Sequence, residues 1–469
     1  MSRGHASVQA LILAAGKGTR LKSPLPKVLH AAGGVPMLEG PLRAVQAACA
    51  EPVTVVVGHG AASIEAAFAG RARFLLQDPQ LGTGHAVLTA RPAFAGAGGT
   101  LLVVNGDLPL LRRETIEALL AHHRTAGAAA TLLTAVLADG LAYGRVLRDG
   151  EGGVTAIVEA RDASPEERAV REINAGLYAF EIAPLLEALD RLEPKNAQGE
   201  YYLTDVVARF VAHGLRVAAL AAADPQEALG VNTFEELALA HRALVERRLR
   251  ELMLAGVAIE DPASTSISLE VVVEPCARIR AFTLLEGRSR VGRGAVVGPF
   301  VRLENSVVGD EAQVLDHCVL RDAVVETGAT IGPFAHLRPE TRVGKRAKVG
   351  NFVELKKTEL GEGAKAPHLS YLGDATIGPG ANVGAGTITC NYDGVLKHPT
   401  AIGAGAFVGS DSTLVAPVRI GDGAYVAAGS TITEDVPDDA LALGRARQVV
   451  KPGWARARRE RLAGAKRHG

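Results

Sequence analysis

Three scarcities narrow the reading before any motif is considered. Cysteine is sparse: the four residues, at 49, 276, 318 and 390, show no C-x-x-C spacing, which argues against zinc and against a disulfide framework and fits a reducing, cytoplasmic setting. Net charge is absent, Lys plus Arg and Asp plus Glu both standing at 51, so no global field draws the chain to nucleic acid or to an anionic membrane. No apolar run approaches membrane-spanning length. The first one, "VQALILAAG", is short and lacks a basic leader, so it reads as a strand rather than a signal peptide. The tail "WARARRERLAGAKRHG" is locally basic, either a solvated terminal segment or a phosphate-facing one.

Two familiar phosphate loops are missing as well. In "LILAAGKGTR" the lysine lies between Gly16 and Gly18, so the P-loop spacing fails, and Leu21 stands where a dinucleotide fingerprint needs its third glycine. What remains is an apolar strand, a glycine turn and the basic Lys17 and Arg20. Such a turn either cradles phosphate or is an ordinary tight turn.

With 469 residues the chain is too long for one core. Residues 7 to about 230 alternate strand-like runs ("VTVVVGHG", "TLLVVNGD", "TLLTAVL", "LRVAALA") with amphipathic stretches such as "RETIEALLAHHRTAG". That order predicts an α/β, Rossmann-like domain over 1–231 with a mostly parallel sheet, its ligands beyond the carboxyl ends of the strands. Residues 232–256 read as one charged linker helix with Leu237, Leu244 and Leu252 on its apolar face, ended by Gly256.

Over 257–469 the apolar period becomes six: Ile267, Val273, Ile279, Leu285, Val291, Val297 and Leu303, then Val325 to Leu355, then Ile402 to Ile432. Neither a helix nor an ordinary strand has this period. Hexapeptide repeats do, and they wind a left-handed parallel β-helix. The frame is expected to break once, at "ITCNYDGVLKHPT", as a protruding loop. A solenoid with flat faces predicts a homotrimer with sites between neighbouring prisms; a passive oligomerisation module is the alternative.

In the first half, Asp107 follows an apolar strand at the sheet edge where ligands bind, a position suited either to Mg²⁺ or to a turn or helix cap. Around it stand Lys27 in "LPKVLH", Gln77, "LGTGHA", Gly144 in "YGRV", Glu159 in "IVEARD", Asn174 in "INAG" and Asn232 in "GVN". In the second half, His368, Tyr371, Lys356 and Arg338 stand near a loop with Asn391 and Tyr392. A histidine suits base catalysis near neutral pH. Cys390 beside them, with no flanking base, reads as a small neutral residue.

Together the motifs resemble the nucleoside-diphosphate-sugar pyrophosphorylases. With the second half, from about residue 7 to about 454, they resemble the bifunctional N-acetylglucosamine-1-phosphate uridyltransferase and glucosamine-1-phosphate acetyltransferase family. The resemblance implies that acetyl-CoA acetylates glucosamine 1-phosphate in the second half. Uridylyl then passes from UTP to N-acetylglucosamine 1-phosphate in the first, the product feeding cell-envelope polysaccharide. It puts Leu13, Ala14, Ala15, Gly16, Asn105 and Gly106 on the nucleotide and has Gln77, Gly82 and Thr83 read uracil. Arg20 and Lys27 neutralise phosphate, Asp107 and Asn232 hold Mg²⁺, and Gly144, Glu159 and Asn174 hold the amino sugar. It makes His368 the general base with Glu354 as its orienting partner, and gives the acceptor sugar phosphate Arg338, Lys356, Tyr371 and Asn382. Acetyl-CoA receives Ala385, Asn391, Tyr392, Ser410, Ala428 and Arg445, the loop residues reaching a neighbouring subunit. Two departures stand out: Ala175 after Asn174 where the family commonly has Thr, and Gly444 before Arg445 where it tends to have Ser. The rival readings are a single-activity sugar-1-phosphate nucleotidyltransferase with a structural or regulatory solenoid, and a non-enzymatic scaffold, which is expected to lose Lys27 and Asp107.

Overall fold

A computed structural model describes residues 7–49, 52–94, 96–140 and 142–465. The chain divides into two compact units, Met1–Arg250 with Ile267–Glu270, and Glu251–Ser266 with Val271–Gly469.

In the first unit a mixed sheet runs in the order Val217–Ala221, Ala130–Val136, Glu172–Glu181, Thr100–Asn105, Val8–Ala14, Val53–Val57, Arg73–Leu76. The last four are mutually parallel. Glu172–Glu181 runs antiparallel to both neighbours, a reversal that the sequence pattern does not announce. Alternation along the strands sends residues to opposite faces. Ile12, Val55 and Val104 pack on one side with helices Glu39–Ala48 and Arg113–Ala126. Leu11, Val56 and Val103 pack on the other with helices Thr83–Thr89, Ile182–Leu189 and Asp205–Ala212. The result is an α/β/α sandwich. From Val8–Ala14 the chain moves outward to Val53–Val57 and Arg73–Leu76, then returns to the opposite flank as Thr100–Asn105. That reversal of direction opens a crevice between Ala14 and Asn105, where α/β sheets bind ligands.

The helix Phe234–Leu254 starts from a capping box: Thr233 Oγ1 accepts from the Glu236 N–H, and Glu236 Oε2 accepts from the Thr233 N–H. Its Leu237 and Leu244 pack against Met37, Leu110 and Val231.

The second unit is a coil of very short strands in three parallel sheets, as a left-handed β-helix of hexapeptide repeats requires. Ile279, Leu285, Val291 and Val297 are fully buried inside it. Register partners stand 18 residues apart at Arg278 and Val296 but 25 apart at Ala375 and Thr400, so the "NYDGVLK" segment is an insertion into one turn. The expectation of a single break needs correction. Partners are 17 apart at Arg290 and Val307 and again at Val307 and Val324, because some corners take a five-residue step. Asn305, Asp322, Lys357 and Asp374 occupy these corners with φ of 44° to 48°; the left-handed conformation turns the chain with one residue fewer. Among the described residues no helix is long and apolar enough to cross a membrane.

Candidate active sites

The crevice of the first unit holds a cavity of about 420 Å³ lined by Leu13 to Thr19, Lys27, Gln77, Gln80, Gly82, Thr83, Asn105 and Asp107. The glycines in its loop differ in role. Gly18 has φ of 60°, and a Cβ there would lie 2.7 Å from Lys27 Cβ, so the fold itself requires glycine. A Cβ on Gly16 would meet nothing within 4 Å, so glycine there leaves the backbone open to whatever fills the cavity. Gln77 is 3% exposed, its N–H bonded to Val57 O and its side-chain Nε2 donating to Gly82 O at 3.0 Å. The Gly106 N–H donates to Leu13 O, joining the two strand ends.

A second cavity of about 210 Å³ adjoins the first. Tyr143, Gly144, Glu159, Asn174, Tyr178, Thr204 and Asn232 line it, and Thr83, Asn105 and Asp107 line both. Asn174 Nδ2 donates to Tyr178 Oη at 2.6 Å, and the Asn174 N–H donates to Gly144 O. Burial pushes the Glu159 carboxyl up, opposed by the Thr204 hydroxyl, which donates to Glu159 Oε1 at 3.1 Å. Ala175 is 3% exposed in the apolar core, so a threonine would add its hydroxyl to that packing.

Between the cavities, Lys27 Nζ donates to Asp107 Oδ2 at 2.5 Å and to Asn232 Oδ1 at 2.7 Å, and Arg20 donates to the same Asn232 oxygen at 2.8 Å. Asp107 and Asn232 are far apart in sequence, and three contacts bring them together. The Val231 N–H donates to Asp107 O at 3.0 Å, Tyr143 Oη donates to Gly230 O at 3.0 Å, and the Asn232 N–H donates to Glu236 Oε2 at 2.6 Å in the capping box. Beneath them the side chain of Glu227, fully buried, accepts from Arg112 Nε at 2.6 Å, the Arg112 N–H at 3.0 Å and Thr115 Oγ1 at 2.6 Å. Two oxygens converging on one cation fit Mg²⁺, which keeps most of its ligands as water and phosphate.

In the second unit, adjacent strands pair Asn351 with His368 and Glu354 with Tyr371. The expected orienting contact is therefore corrected within this chain: His368 Nδ1 lies 2.5 Å from Asn351 Oδ1, while Glu354 Oε1 accepts from Arg338 at 2.9 Å. Register places Asn351 beside the histidine, and Glu354 belongs to a different sheet. Asn391, 6% exposed, donates to Asp374 Oδ2 at 2.5 Å and roots the insertion, whereas Tyr392 is exposed. Asn382 sits between Lys365 and Phe407 in the sheet register. Ala385, Ser410 and Ala428 follow one another on successive turns, joined by the Asp411 N–H to Ala385 O and the Gly429 N–H to Ser410 O. Arg445 is exposed beyond the last of these turns. A Cβ on Gly444 would lie 2.1 Å from Thr431 O, a physical reason for glycine in place of serine in this backbone.

Sequence reasoning passed over several of these groups. Tyr143, Tyr178 and Thr204 emerge only when the sheet folds, and Glu227 only when its loop meets Arg112. Lys397, carried by the insertion, lies against Lys356, and that side-chain contact together with the like charge lowers the Lys397 pKa. The insertion was itself visible in the repeat frame; its cation's partner was not.

Known proteins resemble the chain throughout. The MobA-like NTP transferase domain family matches residues 10–190, and the bacterial transferase hexapeptide (six repeats) family matches 399–434. Three curated proteins called "Bifunctional protein GlmU" align over almost the whole chain. That of Pelotomaculum thermopropionicum is 52% identical, covering 96% of this chain and 99% of its own. That of Pelobacter propionicus is 49% identical, covering 96% and 98%, and that of an Anaeromyxobacter species 51%, covering 98% and 94%.

Proposed function

Since the chain belongs to the bifunctional GlmU family, we propose that its two units catalyse successive steps of UDP-N-acetylglucosamine synthesis. The first is N-acetylation of glucosamine 1-phosphate by acetyl-CoA; the second is uridylyl transfer from UTP to the acetylated product. The observation that carries the second step is the shared wall: Asp107, Asn105 and Thr83 face both cavities, where two substrates must meet.

In uridylyl transfer an oxygen of the sugar phosphate bonds to the α-phosphorus of UTP as the bond to the β-phosphate oxygen breaks, and pyrophosphate leaves. The protein positions the reactants and neutralises charge, and no side-chain nucleophile is needed. The glycine loop holds the triphosphate, and Lys27 and Arg20 face it with positive charge. Glu159 and Asn174 hold the amino sugar in the smaller cavity. Asp107 and Asn232 would hold Mg²⁺, which supplies a further positive charge against the phosphates.

In acetyl transfer His368 acts as general base. The Asn351 oxygen at Nδ1 fixes the proton on that nitrogen and leaves Nε2 with its lone pair, the form that takes a proton from the substrate ammonium. The freed amine bonds to the thioester carbonyl carbon, the carbon–sulfur bond breaks, and the thiolate leaves with a proton. Arg338, Lys356 and Lys397 face the acceptor's phosphate. The row Ala385, Ser410 and Ala428, with Arg445 beyond it, gives the CoA arm a ledge of small side chains ending in a cation. We assign the uridylyl step to 1–231 and the acetyl step to 257–469. The enzyme acts in the cytoplasm as a homotrimer whose Asn391–Tyr392 loop completes the neighbour's site.

The test is pyrophosphate release from the purified chain given glucosamine 1-phosphate, UTP and Mg²⁺, with and without acetyl-CoA. Release that depends on acetyl-CoA supports both steps in this order. Equal release without it would favour a single-activity nucleotidyltransferase.

A further inference from the structure

The Lys27 ammonium fills the place where one oxygen of Asp107 and one of Asn232 meet. Its Nζ lies 2.5 Å from Asp107 Oδ2 and 2.7 Å from Asn232 Oδ1, and the lysine side chain is 12% exposed. Ammonium and guanidinium groups donate only, so Lys27 and Arg20, the latter at 2.8 Å, fix the Asn232 amide with its oxygen toward them. That oxygen has two lone pairs, and the two cations use both. Arg20 is exposed and reaches Asn232, whereas Lys27 bridges from Asn232 to the carboxylate. A Cβ on Gly18 would lie 2.7 to 3.4 Å from Lys27 Cβ, Cγ and Cδ, so the glycine loop packs on the lysine stem and leaves the ammonium end free to turn.

We infer that Lys27 is a built-in stand-in for the divalent cation at Asp107 and Asn232, and that it gives up that place when its ammonium turns to phosphate on the glycine loop. This rests on the proposed uridylyl transfer, in which the two oxygens hold Mg²⁺ and the loop holds the triphosphate. A carboxylate and an amide oxygen are hard ligands that suit such an ion. An ammonium within hydrogen-bond distance of both oxygens leaves no room between them for a second cation, and like charge opposes its entry. A triphosphate offers Lys27 another anionic partner in the cavity that both the lysine and the loop line. Metal and nucleotide binding are then coupled through one side chain, each tightening the other by the same factor.

The experiment titrates the full chain with Mn²⁺ alone, without nucleotide, and follows the free ion by its paramagnetic resonance signal. Lys27→Met tightens Mn²⁺ binding roughly ten- to a hundredfold over wild type, the worth of one charge-assisted hydrogen bond no longer in competition. A lysine with a merely structural role would give the opposite sign, since its loss would loosen the pair. Adding Asp107→Asn to Lys27→Met abolishes the gain, which places the ion at this carboxylate. Arg20→Met also removes one positive charge, yet it changes Mn²⁺ affinity by no more than roughly fivefold, the ceiling for an exposed charge. Lys27→Gln, which keeps a neutral donor near Asp107, shows a gain in the same direction and serves if the Met variant does not fold. No gain in either Lys27 variant, a gain that survives Asp107→Asn, or an equal gain in Arg20→Met overturns this inference alone. Wild-type pyrophosphate release from UTP that needs no divalent cation overturns the metal reading, and this inference with it.

Discussion

Replacing Glu227 by Gln tests how the fold delivers Asn232 to the junction of the two cavities. The Glu227 carboxylate is fully buried and accepts three hydrogen bonds from Arg112 and Thr115, two of them from the Arg112 backbone and guanidinium. Gln keeps the shape and loses the charge, and its amide nitrogen must turn a donor toward one of three donors. A charge-assisted bond contributes about 1.5–3 kcal/mol. The Arg112 side chain is 47% exposed, so solvent screens part of that, and about 2 kcal/mol is the expected cost. A loss of that size raises local opening roughly thirtyfold. The loop in question ends at Val231 and Asn232, whose backbone bonds to Asp107 and Glu236 fix the Asn232 oxygen. Displacing that oxygen by about 1 Å is enough for a loss on the order of 100-fold in uridylyl transfer. The assay is pyrophosphate release alongside free-thiol release from acetyl-CoA on one preparation, with hydrogen exchange over 224–233. Uridylyl transfer should fall, exchange should rise, and acetyl transfer should stay within about twofold of wild type. Unchanged pyrophosphate release with unchanged exchange would refute the claim that this buried carboxylate positions Asn232.

Three further expectations follow from the same geometry. Asp107→Asn removes the carboxylate at the shared wall and should lower uridylyl transfer by about 100-fold or more with acetyl transfer intact, read by the same paired assay. His368→Gln should do the reverse, costing roughly 100- to 10,000-fold in thiol release while uridylylation of supplied N-acetylglucosamine 1-phosphate persists. Burial of His123 between Thr131 and Glu181 lowers its pKa, so the unfolded chain takes up the proton first as pH falls. The stability tied to neutral His123 is therefore present above the ordinary histidine value, ~6.5, and lost on acidification below it. A His123→Gln chain should show a shallower loss of thermal stability between about pH 7 and pH 5, and an identical acid slope would remove His123 as its cause.

Local pattern alone determined much of this protein. The period of six fixes the β-helix because each inward aliphatic must repeat at every corner, and an insertion cannot hide in so regular a frame. The strand and glycine turn at Leu11–Gly18 were legible because backbone conformation and close approach are local demands. The candidate residues Lys27, Asp107 and His368 were legible as residue types in telling places.

Tertiary structure decided the partnerships. Asn351 rather than Glu354 meets His368, because parallel register sets the neighbour and sequence distance does not. The antiparallel strand Glu172–Glu181 brings Asn174 and Tyr178 to the smaller cavity, and nothing in its own residues states its direction. Glu227 and Tyr143 act through contacts with distant chain. A sequence records which donors and acceptors a chain owns, but the fold decides which of them are already spent and which face the ligand.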